Sequence, residues 1–150
     1  MEIIWHGHSS FSIIFSNKKI LIDPFFTGNP AFGNQDKAKI ISGLTHIALT
    51  HGHDDHVGDT VNIARETAAQ IIANADLCSY LKTKGLSDFN QGNTGGTIVF
   101  DDFSITFVQA HHSSASLDEN GISHSLGHSN GLVFHIKGDK TVYHMGDTDI

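Results

Sequence analysis

Residues 46–68 read HIALTHGHDDHVGDTVNIARETA. His46 to Thr50 is a short apolar, buried-type strand, and from Val57 the apolar positions Val57, Val61, Ala64 and Ala68 step by 4, 3 and 4, which is helical spacing. Between strand and helix, residues 51–56 hold three imidazoles and two carboxylates. Reading outward, Gln70 to Ala73 returns to strand, and Asn74 caps a second helix with the apolar face Leu77, Tyr80 and Leu81, ended by Lys82, Lys84 and Gly85. Upstream, Glu2 to His6, Phe11 to Phe15 and Lys19 to Asp23 read as three antiparallel strands, followed by a loop from Pro24 to Lys39. Downstream, Thr97 to Phe100 and Phe103 to Val108 flank Asp101-Asp102, and Gly131 to Lys137 and Lys140 to Met145 flank Gly138-Asp139, as two further hairpins. Hairpins around a strand–helix–strand–helix middle predict an α+β (mixed α/β) sandwich, one domain over residues 1–150, rather than a doubly wound sheet.

Composition narrows the function classes. The 150 residues carry 9 Lys+Arg against 16 Asp+Glu, a formal charge of −7, and scattered basic residues are unsuited to neutralising a nucleic-acid backbone. No apolar run is long enough to span a bilayer, and MEIIWHGHSS has no basic region followed by an apolar stretch. With Cys78 alone, no internal disulfide is possible, so the expectation is a cytoplasmic protein with a small-molecule substrate and neither nucleic acid nor membrane as partner. Protonating all 12 His would carry the charge from −7 to +5, which predicts acid sensitivity.

The cluster at 51–56 reads as a metal site. His51 and His53, two apart in an extended or turning segment, project to one side, while Asp55 and His56 face a point a few Å away, so one peptide can serve two cations. Imidazole nitrogen and carboxylate oxygen suit zinc, with manganese or iron possible. Gly52 lets the backbone pass close to the metals and leaves room for solvent. Two distant strand ends can complete the set: Ala110-His111-His112-Ser113-Ser114 and Gly146-Asp147-Thr148. Asp147 is the natural bridge, since Asp55, Asp147 and a hydroxide would nearly neutralise two divalent cations. His6 and His8 either orient a ligand or are ordinary strand-end residues. Asp23, ahead of Pro24, reads as a turn brace facing the site, Gly92 to Gly96 as a turn, and His124, His128 and Asn130 as parts of a polar loop.

The segments WHGHSSFSI (5–13), LIDPFFTGNP (21–30), THGHDDHVGDTVNIA (50–64), AHHSS (110–114) and YHMGDTDI (143–150) resemble the metallo-β-lactamase superfamily, in its small metal-dependent hydrolase branch related to the ascorbate-phosphate lactonases. The match runs almost from end to end. It implies the N-terminal part of an αββα sandwich and a binuclear hydrolase with two divalent ions, Zn2+ first and Mn2+ or Fe2+ as alternatives. His51, His53 and His112 would hold the first ion, with His112 preferred to His111 because it precedes Ser113-Ser114. Asp55 and His56 would hold the second, Asp147 would bridge, and Asp55 would also orient the attacking hydroxide. His8, Asp23 and His111 would orient ligands or touch substrate. The flavodiiron branch has Glu where this chain has His53, so hydrolysis of an ester, lactone, amide or phosphoester is implied instead of oxygen reduction. Members carry a further C-terminal His on the second ion and have longer domains. The resemblance therefore implies a domain truncated after Asp149-Ile150, with an exposed sheet edge that favours oligomers. A non-catalytic metal-binding domain and a nuclease are the alternative functions.

Overall fold

A computed structural model of the chain describes residues 1–149. Ile150, the last residue of the YHMGDTDI segment, lies outside the described residues.

Strands β1 (Glu2–Gly7), β2 (Ser10–Phe15) and β3 (Lys18–Ile22) form the expected antiparallel meander. The sheet continues in parallel through β4 (His46–Ala48), β5 (Gln70–Asn74) and β6 (Phe89–Gly92), in the order β1-β2-β3-β4-β5-β6. Helices α1 (Lys37–Ile41), α2 (Asp54–Val57), α3 (Thr60–Thr67) and α4 (Ala75–Thr83) make the parallel crossovers. A second, antiparallel sheet has the order β12-β11-β8-β7, from β7 (Thr97–Val99), β8 (Phe103–Gln109), β11 (Asn130–Ile136) and β12 (Thr141–His144). Between β8 and β11 a small hairpin pairs β9 (Ala115–Leu117) with β10 (Ser123–Ser125).

Two apolar layers hold these parts together. Leu21, Ile47, Leu49, Ile63, Ile71, Leu77, Cys78 and Leu81 belong to the core that includes the helices. Ile13, Ile20, Ile22, Ala48, Ile72, Phe107 and Phe134 fill the space between the two sheets. Successive residues go to opposite faces of a strand, so Leu21 lies in one layer and Ile20 and Ile22 in the other. Strands buried on both faces need an unbroken apolar run, which is why β3, β4 and β5 carry ILI, IA and IIA. The described residues thus stack as helices, sheet and sheet. The second sheet's other face carries Ser104, Thr106, Val133, His135 and Tyr143, with partial to full exposure. None of the described helices is long and apolar enough to cross a membrane.

Several local expectations are corrected. The helix beginning at Val57 is two helices, because Gly58 takes φ +43 and a Cβ there would lie 2.6 Å from the Phe25 Cα and the Pro24 carbonyl. Asp59 then accepts from the Phe26 and Thr27 amides and the Thr27 hydroxyl, pinning the segment after β3. The loop from Pro24 to Lys39 ends early, in α1, whose N-terminus Asp36 caps by accepting from the Lys39 amide. Strand β6 lacks a β-type composition. It forms at the sheet edge, where Gly92 admits the Phe107 ring to 2.6 Å from its missing Cβ position. Asn130 is not in a loop: it is buried at the start of β11, accepting from the Thr94 hydroxyl at 2.6 Å. Cys78 is buried and free, its thiol pushed up to about 11 by burial, as suits an apolar filler.

His46 gives the expected acid sensitivity a concrete source. Thr45 donates its hydroxyl proton to the Lys19 carbonyl, so the His46 Nδ1–H donates to Thr45 Oγ1 at 2.8 Å. The ring lies edge-on to Phe100 and Phe103, and burial, followed by the charge of Lys18, lowers its pKa from 6.5 to about 4. The unfolded chain takes up this proton below about pH 6.5 and the folded chain only near 4, so stability is full above 6.5 and falls as pH drops through that window. The expected contribution is about 3 kcal/mol. Urea midpoints between pH 7 and 4 should fall less steeply in His46→Gln than in the parent, whatever their starting values.

Candidate metal centre

The centre forms where β3 and β4 end side by side. The chain leaves β3 through Asp23, which adopts a left-handed φ of +43, and leaves β4 through buried Thr50 and His51. Asp23 is fully buried. Its Oδ1 accepts the Thr50 amide at 2.9 Å, and its Oδ2 accepts the Thr50 hydroxyl at 2.6 Å and the His56 Nδ1–H at 2.8 Å. Burial, the largest influence, pushes the Asp23 pKa up, but the bond and charge of His56 with the Thr50 bond overcome it and hold the carboxyl below its ordinary value. The same pairing raises the His56 pKa against the larger opposing effect of burial.

These bonds fix two tautomers. The one hydroxyl proton of Thr50 is committed to Asp23, so Thr50 Oγ1 accepts from His51 Nδ1 at 3.0 Å and leaves a lone pair on His51 Nε2. His56 donates through Nδ1, which likewise leaves Nε2 as a lone-pair atom. That nitrogen is buried and has no hydrogen-bond partner among the described residues. A buried orphan acceptor held by a carboxylate on its far side fits the outer support of a metal-bound imidazole.

The remaining donors gather around these two. His51 Nε2 is 3.1 Å from His53 Nδ1, and the His112 ring stands nearly perpendicular to both, at 5.1 and 4.9 Å between centroids. Burial, then the charges of His56 and other neighbours, bring the His51 pKa to about 4, and burial with His112 lowers that of His53, so both are neutral donors near pH 7. One atom each from His51, His53 and His112 lies within 4.8 Å of the other two, and the same holds for His8, Asp55 and His56 and for His51, His56 and Asp147. Asp147 faces both sides: Oδ1 is 3.4 Å from His56 Nε2 and Oδ2 is 3.7 Å from His112 Nε2. Charge-assisted hydrogen bonds are shorter, about 2.7–2.9 Å. Donors 2.0–2.2 Å from one tetrahedral ion lie about 3.3–3.6 Å apart, which the observed spacing approaches.

All the residues expected to be ligands are therefore brought together: His51, His53, Asp55, His56, His112 and Asp147. His111 is not. It is exposed, and its backbone amide donates to Thr148 Oγ1. His6 is also turned away, on Ser12 Oγ at 2.7 Å and Gln35 Oε1 at 3.1 Å. His124 pairs with Asp118 at 3.0 Å. Asp23 is more than a turn brace, since it orients His56 directly. Thr50, Ser114 and His144 had no role in the sequence reading. Ser114 Oγ accepts the Gly52 amide and donates to the Leu126 carbonyl, and His144 accepts the Gly146 amide while donating to the Ser9 carbonyl. A hydroxyl next to a strand-end His was the available signal for Thr50.

Gly52 requires a different account from solvent access. A Cβ there would lie 2.5 Å from Leu126 Cδ1 and 2.6 Å from its Cβ, so glycine is needed to seat the loop on Leu126. Gly52→Ala is expected to cost about 1–3 kcal/mol by overpacking, read in a urea unfolding curve. A cleft of about 350 Å³ opens beside the centre, lined by His53, Asp54, Asp55, Ala115, Ser116 and Leu117 among others. A larger one, about 500 Å³, lies across the loop against Val61, Arg65, Tyr80 and Lys84, and no ligand residue lines it.

Helices on a sheet that packs against a second sheet, with His and Asp side chains collected at strand ends from both, define the class of metallo-β-lactamase-fold proteins. Residues 18–150 match the family described as beta-lactamase superfamily domain, and the chain belongs to that family. Within it, the chain is 58% identical over 150 residues to a UPF0173 metal-dependent hydrolase of Agrobacterium fabrum and 59% identical to one of Sinorhizobium medicae. It spans 64% of the length of each and is itself covered completely. Among solved structures, a metallo hydrolase from Ignicoccus hospitalis superposes with a TM-score of 0.83 at 28% identity, over 99% of this chain and 61% of that one. An isothiocyanate hydrolase from Delia radicum gut bacteria shares the fold at 20% identity, with a TM-score of 0.72, over 100% of this chain and 64% of that one.

Proposed function

We propose that the protein is a binuclear metal-dependent hydrolase acting on an ester, lactone, amide or phosphoester in a small cytoplasmic metabolite. One observation carries this reading: the two oxygens of Asp147 face His56 and His112 separately, as a carboxylate shared between two ions would. Divalent cations, Zn2+ first and Mn2+ or Fe2+ as alternatives, would supply water of lowered pKa and Lewis-acid polarisation of the scissile oxygen. The chain's own work is orientation. Asp23 and Thr50 keep the lone pairs of His56 and His51 inward, and Asp55 offers a carboxylate oxygen to hold the proton of an incoming water. The cleft along Ala115 to Leu117 is of a size for a small ligand. The scattered basic residues give a polyanion no continuous surface.

The test is elemental analysis of the protein purified without added metal or chelator, followed by a panel of ester, lactone, amide and phosphoester substrates before and after chelation. Close to two equivalents of metal and chelator-sensitive turnover are expected. Bound metal with no turnover on any class would replace the proposal with a non-catalytic metal-binding domain, and a folded, metal-free protein would remove both.

A further inference from the structure

We propose that His8 is itself a ligand of the second cation, completing a set with Asp55 and His56; this rests on the two-cation reading above. The positioning of His8 is specific. The β1–β2 turn places it at φ +53, a left-handed conformation unusual for a residue with a side chain, directly after Gly7 at φ +107. The register of β1 and β2 shifts between Trp5 and Gly7, and a Cβ on Gly7 would lie 2.8 Å from the Ala31 carbonyl carbon, so the turn is pressed against the segment after β3. The Trp5 indole donates to the His8 carbonyl at 2.9 Å, clasping the turn from outside. Edge-on contacts with Phe25 and His56, at 5.6 and 5.1 Å between centroids, hold the imidazole over the centre.

The distances favour coordination over a plain ion pair. His8 Nε2 is 3.4 Å from Asp55 Oδ2, too long for a charge-assisted hydrogen bond and matched to two donors on one ion. His8, Asp55 and His56 meet the same mutual spacing as His51, His53 and His112. Local strain at an exposed turn needs compensation, and a metal–nitrogen bond supplies it. With Asp147 as the shared carboxylate, each ion would then draw three donors of its own plus a bridge from the described residues.

Cobalt(II) titrated into metal-free full chain, followed by visible d–d absorption and by cobalt content, tests this without reference to turnover. The parent is expected to take two equivalents. His8→Asn, which tolerates the left-handed backbone, should keep the first equivalent unchanged, weaken the second at least about tenfold and alter its absorption band. Trp5→Phe, which releases the clasp and retains the imidazole, should weaken the second equivalent alone, and it carries the test if His8→Asn fails to fold. Parent-like titrations of the folded variants would overturn the role of His8 and leave the hydrolase reading standing. A parent that takes one equivalent, unaffected by His8→Asn, would overturn the role of His8 together with the two-cation part of that reading, while a parent that takes none would overturn metal binding altogether.

Discussion

Asp23→Asn is expected to fold and yet to hold cations about 10- to 100-fold more weakly than the parent. The carboxylate accepts three hydrogen bonds, and the amide that replaces it has one acceptor oxygen. If that oxygen keeps the Thr50 amide, the NH2 group faces His56 Nδ1, which must then accept, so the ring proton moves to Nε2, the atom aimed at the ion. Thr50, freed from donating to the carboxylate, can donate to His51 Nδ1 instead, and the His51 proton also moves to Nε2. One atom exchange thus blocks two ligands. The fold should lose about 1–3 kcal/mol for the imperfectly paired buried amide. Asp23→Ala, which strands His56 in the interior, should lose about 3–5 kcal/mol. Metal content after dialysis and a urea melt on the same samples separate the two effects. A parent-like metal content in Asp23→Asn would show that the carboxylate does not set the tautomer.

His53→Ala is expected to have the opposite balance. His53 is only half-buried and carries no core packing, so stability should stay within about 1 kcal/mol. It does supply the donor 3.1 Å from His51 Nε2, and its loss should weaken the first cation at least about 100-fold. Turnover of the identified substrate should drop by at least about a thousandfold, since removing one member of a group that acts as a unit costs nearly as much as removing all. Full activity in this variant would sink the assignment of the 51–56 segment.

The sequence was most legible where the chemistry is dense in a short span. The meander Glu2 to Asp23, the crossover from His46, both later hairpins and the cluster of candidate donors between His51 and His56 could be read directly, because strand alternation, helix spacing and imidazole spacing are local patterns. Strand β6 and the β9–β10 hairpin were illegible for the opposite reason: FNQG, ASL and SHS carry no apolar period and are strands only because neighbours offer edges to pair with. The break at Gly58 is set by the backbone of Pro24 and Phe25, which no local pattern contains. Choosing His112 over His111 required family resemblance, and the structure explains it through the ring contacts of His112 with His51 and His53. The hydrogen-bond relay through Asp23 and Thr50 was legible only as far as Asp23 facing the site, since the bond itself joins residues just past the ends of two parallel strands.

The donors around the centre come from almost the whole length of the chain, from His8 in the first hairpin to Asp147 beyond β12. The local peptide at 51–56 can meet an ion early, but on the two-cation proposal neither ion would reach Asp147 until the second sheet has docked on the first. Full cation capture would therefore be a late event in the life of each molecule. On the ribosome, the nascent chain must expose its His-rich loop for roughly ninety residues of further synthesis before Asp147 emerges. An ion seized too soon would be held by two or three imidazoles of a partly folded chain, where any available divalent metal would serve. On the proposed two-cation reading, selectivity for one metal would be expressed only after β12 has brought Asp147 to the centre, so the order of folding and loading would decide which ion is carried.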